Sequence, residues 1–179
     1  TCATDGLCAT SCPVEIDTGK LIKQLRLNST SATGNSVAQV LANRMKFVTS
    51  SAKNGLNFVN LAHTVMGTNM MEGISKLMFT GSGKKIPLWN KYMPKGADNI
   101  VYPAKDNNEL KVVYFPSCIS RSMGVSKGSG DTESQTTVMT KLLTKAGYSI
   151  IYPNDLPNLC CGMAFASKGF KHQGDSKAE

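Results

Sequence analysis

Three cysteines near the amino terminus constrain this chain more than any other feature of its sequence. Cys2, Cys8 and Cys12 lie within one short segment, and Pro13 follows the last of them directly. The first residues show no signal-peptide pattern, which disfavours stable disulfides, and cysteines crowded into one loop favour a shared metal ion or cluster. Residues 1–16 are therefore predicted to form a cysteine loop.

The spacing within this loop indicates which kind of metal centre it suits. The cluster loop of bacterial ferredoxins runs C-x2-C-x2-C-x3-C-P. Cys2, Cys8 and Cys12 occupy its first, third and fourth cysteine positions, while Asp5 stands at the second and Gly6 follows it. The loop thus resembles that of ferredoxin-like domains, with a carboxylate in place of one thiolate. A carboxylate is a harder ligand than a thiolate and holds iron less tightly.

The resemblance implies an iron–sulfur cluster with Cys2, Asp5, Cys8 and Cys12 as ligands. That cluster is either a [4Fe–4S] cluster with an aspartate ligand or a [3Fe–4S] cluster that lacks the iron beside Asp5. In two-cluster ferredoxins the cysteine before proline binds the other cluster, so Cys12 is then expected to have partners outside this loop. The alternatives are a zinc loop and reduced structural thiols.

A second group of cysteines lies in the last third of the chain. Phe-Pro-Ser-Cys118 and Leu-Cys160-Cys161-Gly162 resemble the cysteine-rich domain of heterodisulfide reductases and of lactate-oxidising flavoenzymes. The resemblance implies that Cys118, Cys160 and Cys161 bind a cluster or zinc, with Gly162 allowing a sharp turn beside the paired thiolates. Because four ligands are the usual number, unmetallated thiols are the alternative for these three cysteines.

The order of the two motifs along the chain points to one family. A cluster loop, a helical stretch and a Cys-Cys-Gly motif resemble the C-terminal part of bacterial FAD-linked oxidases of the respiratory D-lactate or D-2-hydroxyglutarate dehydrogenase type. The resemblance implies an electron-transfer module that receives electrons from a flavin domain of the same parent chain and passes them to a quinone or another acceptor. Both ends of the chain look cut, so FAD is expected in a part of the parent protein not contained here. No catalytic residue is predicted in this module of the oxidoreductase.

Two other functions are compatible with the same cysteines. One is a non-catalytic docking module, stabilised by zinc or free of metal, that binds another subunit. The other is a subunit of a disulfide-reducing complex of the heterodisulfide-reductase kind, in which Cys160 and Cys161 touch the substrate. The presence of a single Cys-Cys-Gly motif in the chain disfavours the second of these functions.

The periodicity of apolar residues predicts an α+β chain in three parts. Residues 1–80 are predicted to hold a ferredoxin-like cluster loop and a helical segment, and residues 81–110 a linker rich in Gly, Pro and Lys. Residues 111–179 are predicted to form a partial α/β Cys-Cys-Gly domain with a small parallel sheet.

Cap residues and apolar spacing place the helices of the first part. Asp17 or Thr18 is predicted to cap a short helix that ends at Leu27. Residues 28–35 are rich in Ser, Thr and Gly and are predicted to form a linker. Apolar residues then recur every three or four positions from 37 to 66, which predicts a long helix that Gly55 breaks or bends.

The third part changes from helical spacing to short apolar runs. Residues 111–115 and 148–152 are predicted strands, and between them a helix is predicted from Asp131 or Thr132 to a stop at Gly147. A strand, helix and strand in this order imply parallel pairing. Both cysteine segments of this part then follow the carboxyl ends of the strands, an edge of the sheet where ligands collect.

The charge of the chain limits the kinds of partner. Twenty basic and 12 acidic residues leave a net charge of +8, which favours an acidic protein surface or an anionic membrane surface, although a merely solvated face is the plainer interpretation. No aromatic-rich basic stripe of the kind that stacks bases is present, so no nucleic-acid partner is predicted. The protein is expected in the cytoplasm, with peripheral contact at the inner face of the cytoplasmic membrane.

Overall fold

The structure, a computed structural model, describes residues 2, 4–102 and 110–179. Helices account for 56% of the chain and two short strands form one parallel sheet, which confirms the predicted α+β class in its coarse form. The elements are α1 (Leu7–Thr10), α2 (Thr18–Ser29), α3 (Ala32–Asn43), α4 (Met45–Gly81), β1 (Lys111–Val113), α5 (Cys118–Ser122), α6 (Gln135–Lys145), β2 (Ser149–Ile151), a 3-10 turn (Leu156–Asn158), α7 (Met163–Ala166) and α8 (Lys171–Ala178).

Helix α2 begins where the sequence predicts it. The Asp17 side chain accepts a hydrogen bond from the backbone N–H of Lys20 at 3.2 Å, as an N-cap residue does. Arg26 lies in the last turn, where a cation interacts favourably with the carbonyl end of a helix. The short predicted helix is therefore confirmed, and it extends two residues beyond Leu27 to Ser29.

The predicted linker after α2 is wrong over most of its length. Helix α3 already starts at Ala32, because Ser31 acts as its N-cap and accepts a hydrogen bond from the N–H of Gly34 at 3.0 Å. A serine in a polar run is compatible with a helix start as well as with a linker. Here the hydrogen bond to Ser31 shows that the helix starts. The following helical pattern is divided at Arg44, whose backbone leaves the helical region.

The bend in the long helix α4 also differs from the prediction. Gly55 has helical geometry, whereas Gly67 has φ 75° and ψ 170°, a conformation open almost solely to glycine. The Nε2 atom of His63 and the Oγ1 atom of Thr68 are 3.0 Å apart and span this kink. After α4, residues 82–102 contain neither a helix nor a strand beyond one isolated bridge. The linker over residues 81–110 stays a prediction, and its residues 103–109 lie outside the described part.

The small sheet has the predicted parallel pairing. Lys111 is opposite Ser149 and Val113 is opposite Ile151. The intervening helix α6 starts later than predicted, because Ser134 rather than Asp131 or Thr132 caps it by accepting a hydrogen bond from the N–H of Thr137. It ends before Gly147 as predicted, and Gly147 has φ 83°.

The chain divides into two compact units, and one of them is built from two segments that are far apart in the sequence. The terminal unit consists of residues Thr1–Lys46 together with Pro157–Glu179, and the central unit consists of Phe47–Leu156. Both cysteine loops, the one before Pro13 and the Cys160–Cys161 pair, thus belong to the terminal unit. The three-part division at residues 80 and 110 stays a prediction about domains.

The terminal unit is held together by contacts between its first and last segments. Ala38, Ala42, Met45 and Phe165 are buried there. Gln173 on α8 is also buried, and its Nε2 atom donates to Gln39 Oε1 on α3 at 3.3 Å. Such contacts between residues more than a hundred positions apart place the Cys-Cys-Gly segment in the same unit as the amino-terminal loop.

Candidate metal centre

The amino-terminal cysteine loop is organised around a left-handed glycine and a one-turn helix. Gly6 has φ 83°, and α1 begins directly after it. The Asp5 carboxylate accepts a hydrogen bond from the backbone N–H of Leu7 at 3.2 Å, so this carboxylate closes the turn at the start of α1. The side chain predicted as a ligand therefore also has a local structural role. Cys8 lies on α1 and is exposed.

The backbone beside Cys2 donates to its sulfur. The N–H of Thr4 lies 3.3 Å from Cys2 Sγ. Thr4 itself is buried, with 3% of its surface exposed, and has φ 61°, a left-handed conformation that is strained for a β-branched residue. Gly19 of α2 makes room for it, since a Cβ on Gly19 would lie 3.4 Å from Thr4 Cα.

Cys12 receives several backbone donors from the turn that follows it. The pKa of the Cys12 thiol lies below its ordinary value, because the N–H groups of Ile16 and Val14, with a smaller contribution from Glu15, stabilise the thiolate more than burial disfavours it. Glu15 has φ 55°, so this turn is strained as well. The thiolate is the form of cysteine that binds a metal.

Arg26 connects the amino-terminal loop to the end of the chain. Its Nη2 atom donates to the carbonyl oxygen of Cys2 at 2.8 Å, and its Nη1 atom donates to the carbonyl oxygen of Ser167. Gly169 packs against the Arg26 backbone, where a Cβ would approach the Arg26 carbonyl carbon to 2.6 Å. A single side chain thus ties the Cys2 segment to the turn that follows α7. In the sequence Arg26 is one of 20 basic residues, and no local pattern marks it as a link.

The Cys-Cys-Gly segment has the sharp turn that its sequence predicts. Gly162 has φ 74° and precedes α7 directly. A Cβ on Gly162 would lie 2.1 Å from the carbonyl oxygen of Gly174, so glycine is required by both conformation and space. Cys160 is buried with 2% exposure, whereas Cys161 is exposed. The two adjacent thiols therefore have different environments.

Cys118 belongs to the other unit. It is the first residue of α5, whose N-cap Ser117 accepts a hydrogen bond from the N–H of Ser120 at 3.1 Å. It follows β1 as predicted, but β1 and Cys118 are in the central unit, and Cys160 and Cys161 are in the terminal unit. The grouping of these three cysteines at one sheet edge stays a prediction.

In the part of the chain that the structure describes, the cysteines do not form a complete metal site. Among the residues described, no group of three or more His, Cys, Asp or Glu side chains could hold a metal ion. The individual donors suit a thiolate-bound group, because Cys2 and Cys12 already receive backbone N–H groups. The arrangement as a whole does not fit a cluster without further ligands or a rearrangement of the loop.

No protein-family model matches the chain, and no curated protein or solved structure matches it significantly. Within residues 2, 4–102 and 110–179, none of the helices has the length and apolar character needed to cross a membrane.

Proposed function

We propose that the chain is the iron–sulfur electron-transfer module of an FAD-linked D-2-hydroxyacid dehydrogenase of the D-lactate type. In this proposal a flavin domain of the same parent protein supplies electrons, and a quinone or another respiratory component accepts them. The module itself is not catalytic, and the protein works in the cytoplasm at the inner face of the membrane. The ligands are Cys2, Asp5, Cys8 and Cys12.

The observation that carries this proposal is the set of backbone donors aimed at two sulfurs of one loop. The Thr4 N–H contacts Cys2 Sγ, and the turn after Cys12 lowers the pKa of that thiol. Cluster potentials are tuned by hydrogen bonds to the sulfur ligands, so such donors are a functional feature of iron–sulfur loops.

Backbone strain in the same loop also supports a functional role. Thr4, which lies between Cys2 and Asp5, and Glu15, which follows Cys12, both have positive φ angles. Left-handed residues other than glycine cost free energy and persist where the surrounding structure holds them, which is common at ligand sites. The Arg26 contacts to Cys2 and Ser167 supply part of that support.

The arrangement of the ligands sets a condition on the proposal. Because the thiols of the loop do not converge on a common point in the described residues, binding by Cys2, Asp5, Cys8 and Cys12 requires a rearrangement of the loop or donors from another segment of the parent protein. Cys160 and Cys161 lie in the same unit as the loop and are the other cysteines of that unit. The test must therefore use the intact parent protein.

The test is anaerobic reconstitution of the parent protein with iron and sulfide. We expect iron and acid-labile sulfide in about equal amounts and an electron paramagnetic resonance signal after reduction. Cys12→Ser is expected to lower the bound iron, whereas Cys118→Ser, in the central unit, is expected to leave the signal of the loop cluster unchanged. Wild-type protein that contains neither iron nor sulfide would contradict the proposal.

Asp5 offers a sharper test of the loop. We expect Asp5→Cys to increase the share of [4Fe–4S] over [3Fe–4S] cluster, because a thiolate holds iron more tightly than a carboxylate. Asp5→Asn is the matched control, since its side-chain oxygen can still accept the Leu7 N–H and close the turn. Identical cluster spectra for wild type and Asp5→Cys would show that residue 5 is not a ligand.

A zinc-stabilised or metal-free docking module is the second candidate. It is favoured by the separation of the cysteines in the described residues and by exposed apolar side chains on α3, where Val37 and Val40 are 54% and 58% exposed. Colourless parent protein with stoichiometric zinc and no sulfide, after the same anaerobic preparation, would favour this function over the first.

A further inference from the structure

A groove of about 240 Å³ lies in the central unit between the last turns of α4 and residues 88–92. Helix α4 contributes Glu72, Ser75 and Lys76 to its lining. Small-molecule sites in proteins usually occupy roughly 300–1,000 Å³, so a groove of this size fits a small ligand that stays partly in solvent. The lining combines one carboxylate and two lysines with two aromatic rings, and this mixture narrows the class of ligand.

The Trp89 wall of the groove is held by the residues that pack against it. The backbone N–H of Trp89 donates to the buried Ser75 Oγ at 2.6 Å, and the Trp89 ring packs edge-on against His63 with the centroids 4.8 Å apart. The His63 ring is itself held, because Lys127 Nζ and Thr68 Oγ1 lie 2.9 and 3.0 Å from its two nitrogens. This aromatic wall is therefore ordered before any ligand binds, which lowers the entropy cost of binding.

Tyr92 forms a second aromatic wall and is fixed through its backbone. Its N–H donates to Asn90 Oδ1 at 2.8 Å, and its carbonyl oxygen accepts hydrogen bonds from Ser126 Oγ at 2.8 Å and from the N–H of Lys127 at 3.1 Å. The Tyr92 residue is 52% exposed. An exposed ring on a fixed backbone offers a π-face to a planar ligand.

The charged residues of the groove are Glu72, Lys76 and Lys91. In the described part of the chain, neither the partly buried Glu72 carboxylate nor the exposed Lys76 ammonium has a hydrogen-bond or ion-pair partner. Lys91 Nζ lies 5.0 Å from the centroid of the Tyr92 ring, so one cation is next to an aromatic wall. The groove thus offers a hydrogen-bond acceptor and two cations beside its two rings.

We propose that this groove binds a nucleoside monophosphate. The base stacks on the aromatic walls, as bases do on exposed protein rings. The Glu72 carboxylate accepts hydrogen bonds from the ribose hydroxyls, and Lys76 and Lys91 pair with the phosphate. An inorganic anion would use only the lysines and a sugar only the carboxylate, whereas a nucleotide uses all three kinds of group. The proposal is independent of the cysteines and of any cluster.

The single tryptophan of the chain makes this binding directly measurable, because Trp89 lines the groove. Adenosine 5′-monophosphate is expected to quench Trp89 fluorescence to saturation, with the same Kd as calorimetry gives. Adenosine is expected to bind about tenfold more weakly, because it lacks the phosphate. Ribose 5-phosphate and inorganic phosphate lack the base and are expected to bind more weakly without quenching Trp89.

Matched variants separate the groove from the general positive charge of the protein. Lys76→Gln/Lys91→Gln is expected to weaken binding of adenosine 5′-monophosphate about tenfold, because it removes both partners of the phosphate. Lys84→Gln/Lys85→Gln removes the same charge from exposed positions outside the lining and is expected to have a much smaller effect.

The ribose contact has a test of its own at Glu72. The wild-type chain is expected to bind the 2′-deoxy form of adenosine 5′-monophosphate about tenfold more weakly than the ribose form, because one hydrogen bond to a charged group is lost. Glu72→Ala is expected to remove most of this difference. An unchanged preference for the ribose form in Glu72→Ala would show that Glu72 does not contact the sugar.

Two results would overturn the proposal as a whole. One is wild-type protein whose Trp89 fluorescence and heat of mixing show no saturable response to adenosine 5′-monophosphate at millimolar concentration. The other is equal weakening by the double variants at residues 76 and 91 and at residues 84 and 85, which would indicate attraction by net charge alone. Circular dichroism of each variant verifies that the helices are intact.

Discussion

At the scale of single residues, Cys12 is a partly exposed thiol whose neighbouring backbone stabilises its thiolate form. The backbone N–H groups of Ile16 and Val14, with a smaller contribution from Glu15, lower the pKa of the thiol. Because this pKa is lower in the folded protein, the resulting stabilisation is present above the pKa of the unfolded chain and is lost as the pH falls. Cys12 is therefore the thiol whose ionisation is directly coupled to the fold of the loop.

The pH dependence of Cys12 alkylation tests this coupling. In the metal-free native chain, the rate of modification by iodoacetamide is expected to rise at lower pH than in the same chain unfolded in urea, because the thiolate is the reactive form. Mass spectrometry of the peptide that contains Cys12 measures the rate at each pH. The same pH midpoint in both states would show that the turn does not stabilise the thiolate.

At Gly162, both the left-handed backbone conformation and the lack of space for a Cβ atom favour glycine. Gly162→Ala is expected to destabilise the terminal unit by about 3 kcal/mol, from the left-handed backbone and from contact with Gly174. Gly6→Ala is the control, since Gly6 is also left-handed but a Cβ there meets nothing within 4 Å, and it is expected to cost only about 1 kcal/mol. Urea unfolding measures both changes, and equal losses would contradict the contact with Gly174.

At the scale of elements, the kink in α4 is held by the side chains around it. His63 lies before the kink and Thr68 after it, and their side chains are 3.0 Å apart. Lys127 Nζ lies 2.9 Å from the other ring nitrogen of His63. Because the contact between His63 and Thr68 joins the two parts of the helix and Lys127 holds the His63 ring, the kink is a fixed feature of the central unit rather than a point of free bending.

Replacement by alanine is expected to change the stability in opposite directions at two glycines of α4. Gly67→Ala is expected to lower stability by about 2 kcal/mol, because φ 75° and ψ 170° exclude a side chain. Gly55→Ala is expected to raise it by about 0.5–1 kcal/mol, because Gly55 is helical and a Cβ there meets nothing within 4 Å. Thermal or urea unfolding measures the two effects. Stabilisation by Gly67→Ala would mean that a straight helix is preferred at this position.

At the scale of the whole molecule, the two ends of the chain build one unit together. Residues Pro157–Glu179 pack with Thr1–Lys46, and the rest of the chain forms the central unit. Arg26 and Gln39 both contact this last segment, through Ser167 and Gln173 respectively. The terminal unit can therefore form only after the chain between its two halves has been made, which gives it many non-local contacts.

Removal of the last segment tests this organisation. A chain that ends at Leu156 is expected to lose hydrogen-exchange protection in α2 and α3, because the contacts of Arg26 and Gln39 are lost with the segment. Helix α6, in the central unit, is the internal control and is expected to keep its protection. Unchanged protection of α2 and α3 would show that the first 46 residues fold without the last segment.

Local rules predicted the elements whose signals are contained in a few neighbouring residues. Asp17 before α2, the stop at Gly147 and the parallel pair of short strands were confirmed. The errors occurred where several residues could serve the same local role. Ser31 is the N-cap of α3 and Ser134 is the N-cap of α6. Each lies in a polar run that contains other possible cap residues, and the run alone does not show which of them caps the helix.

The sequence by itself determined the two cysteine motifs, the α+β class and the sharp turn at Gly162, since each depends on residue type and close spacing. Only the tertiary structure decided that Cys160 and Cys161 share a unit with Cys2, that Arg26 links their segments, and that Cys118 lies in the other unit. These facts depend on contacts between residues far apart in the chain. Arg26 binds backbone carbonyl groups, and every residue carries one. The types of the residues that it contacts therefore do not reveal the link in the sequence.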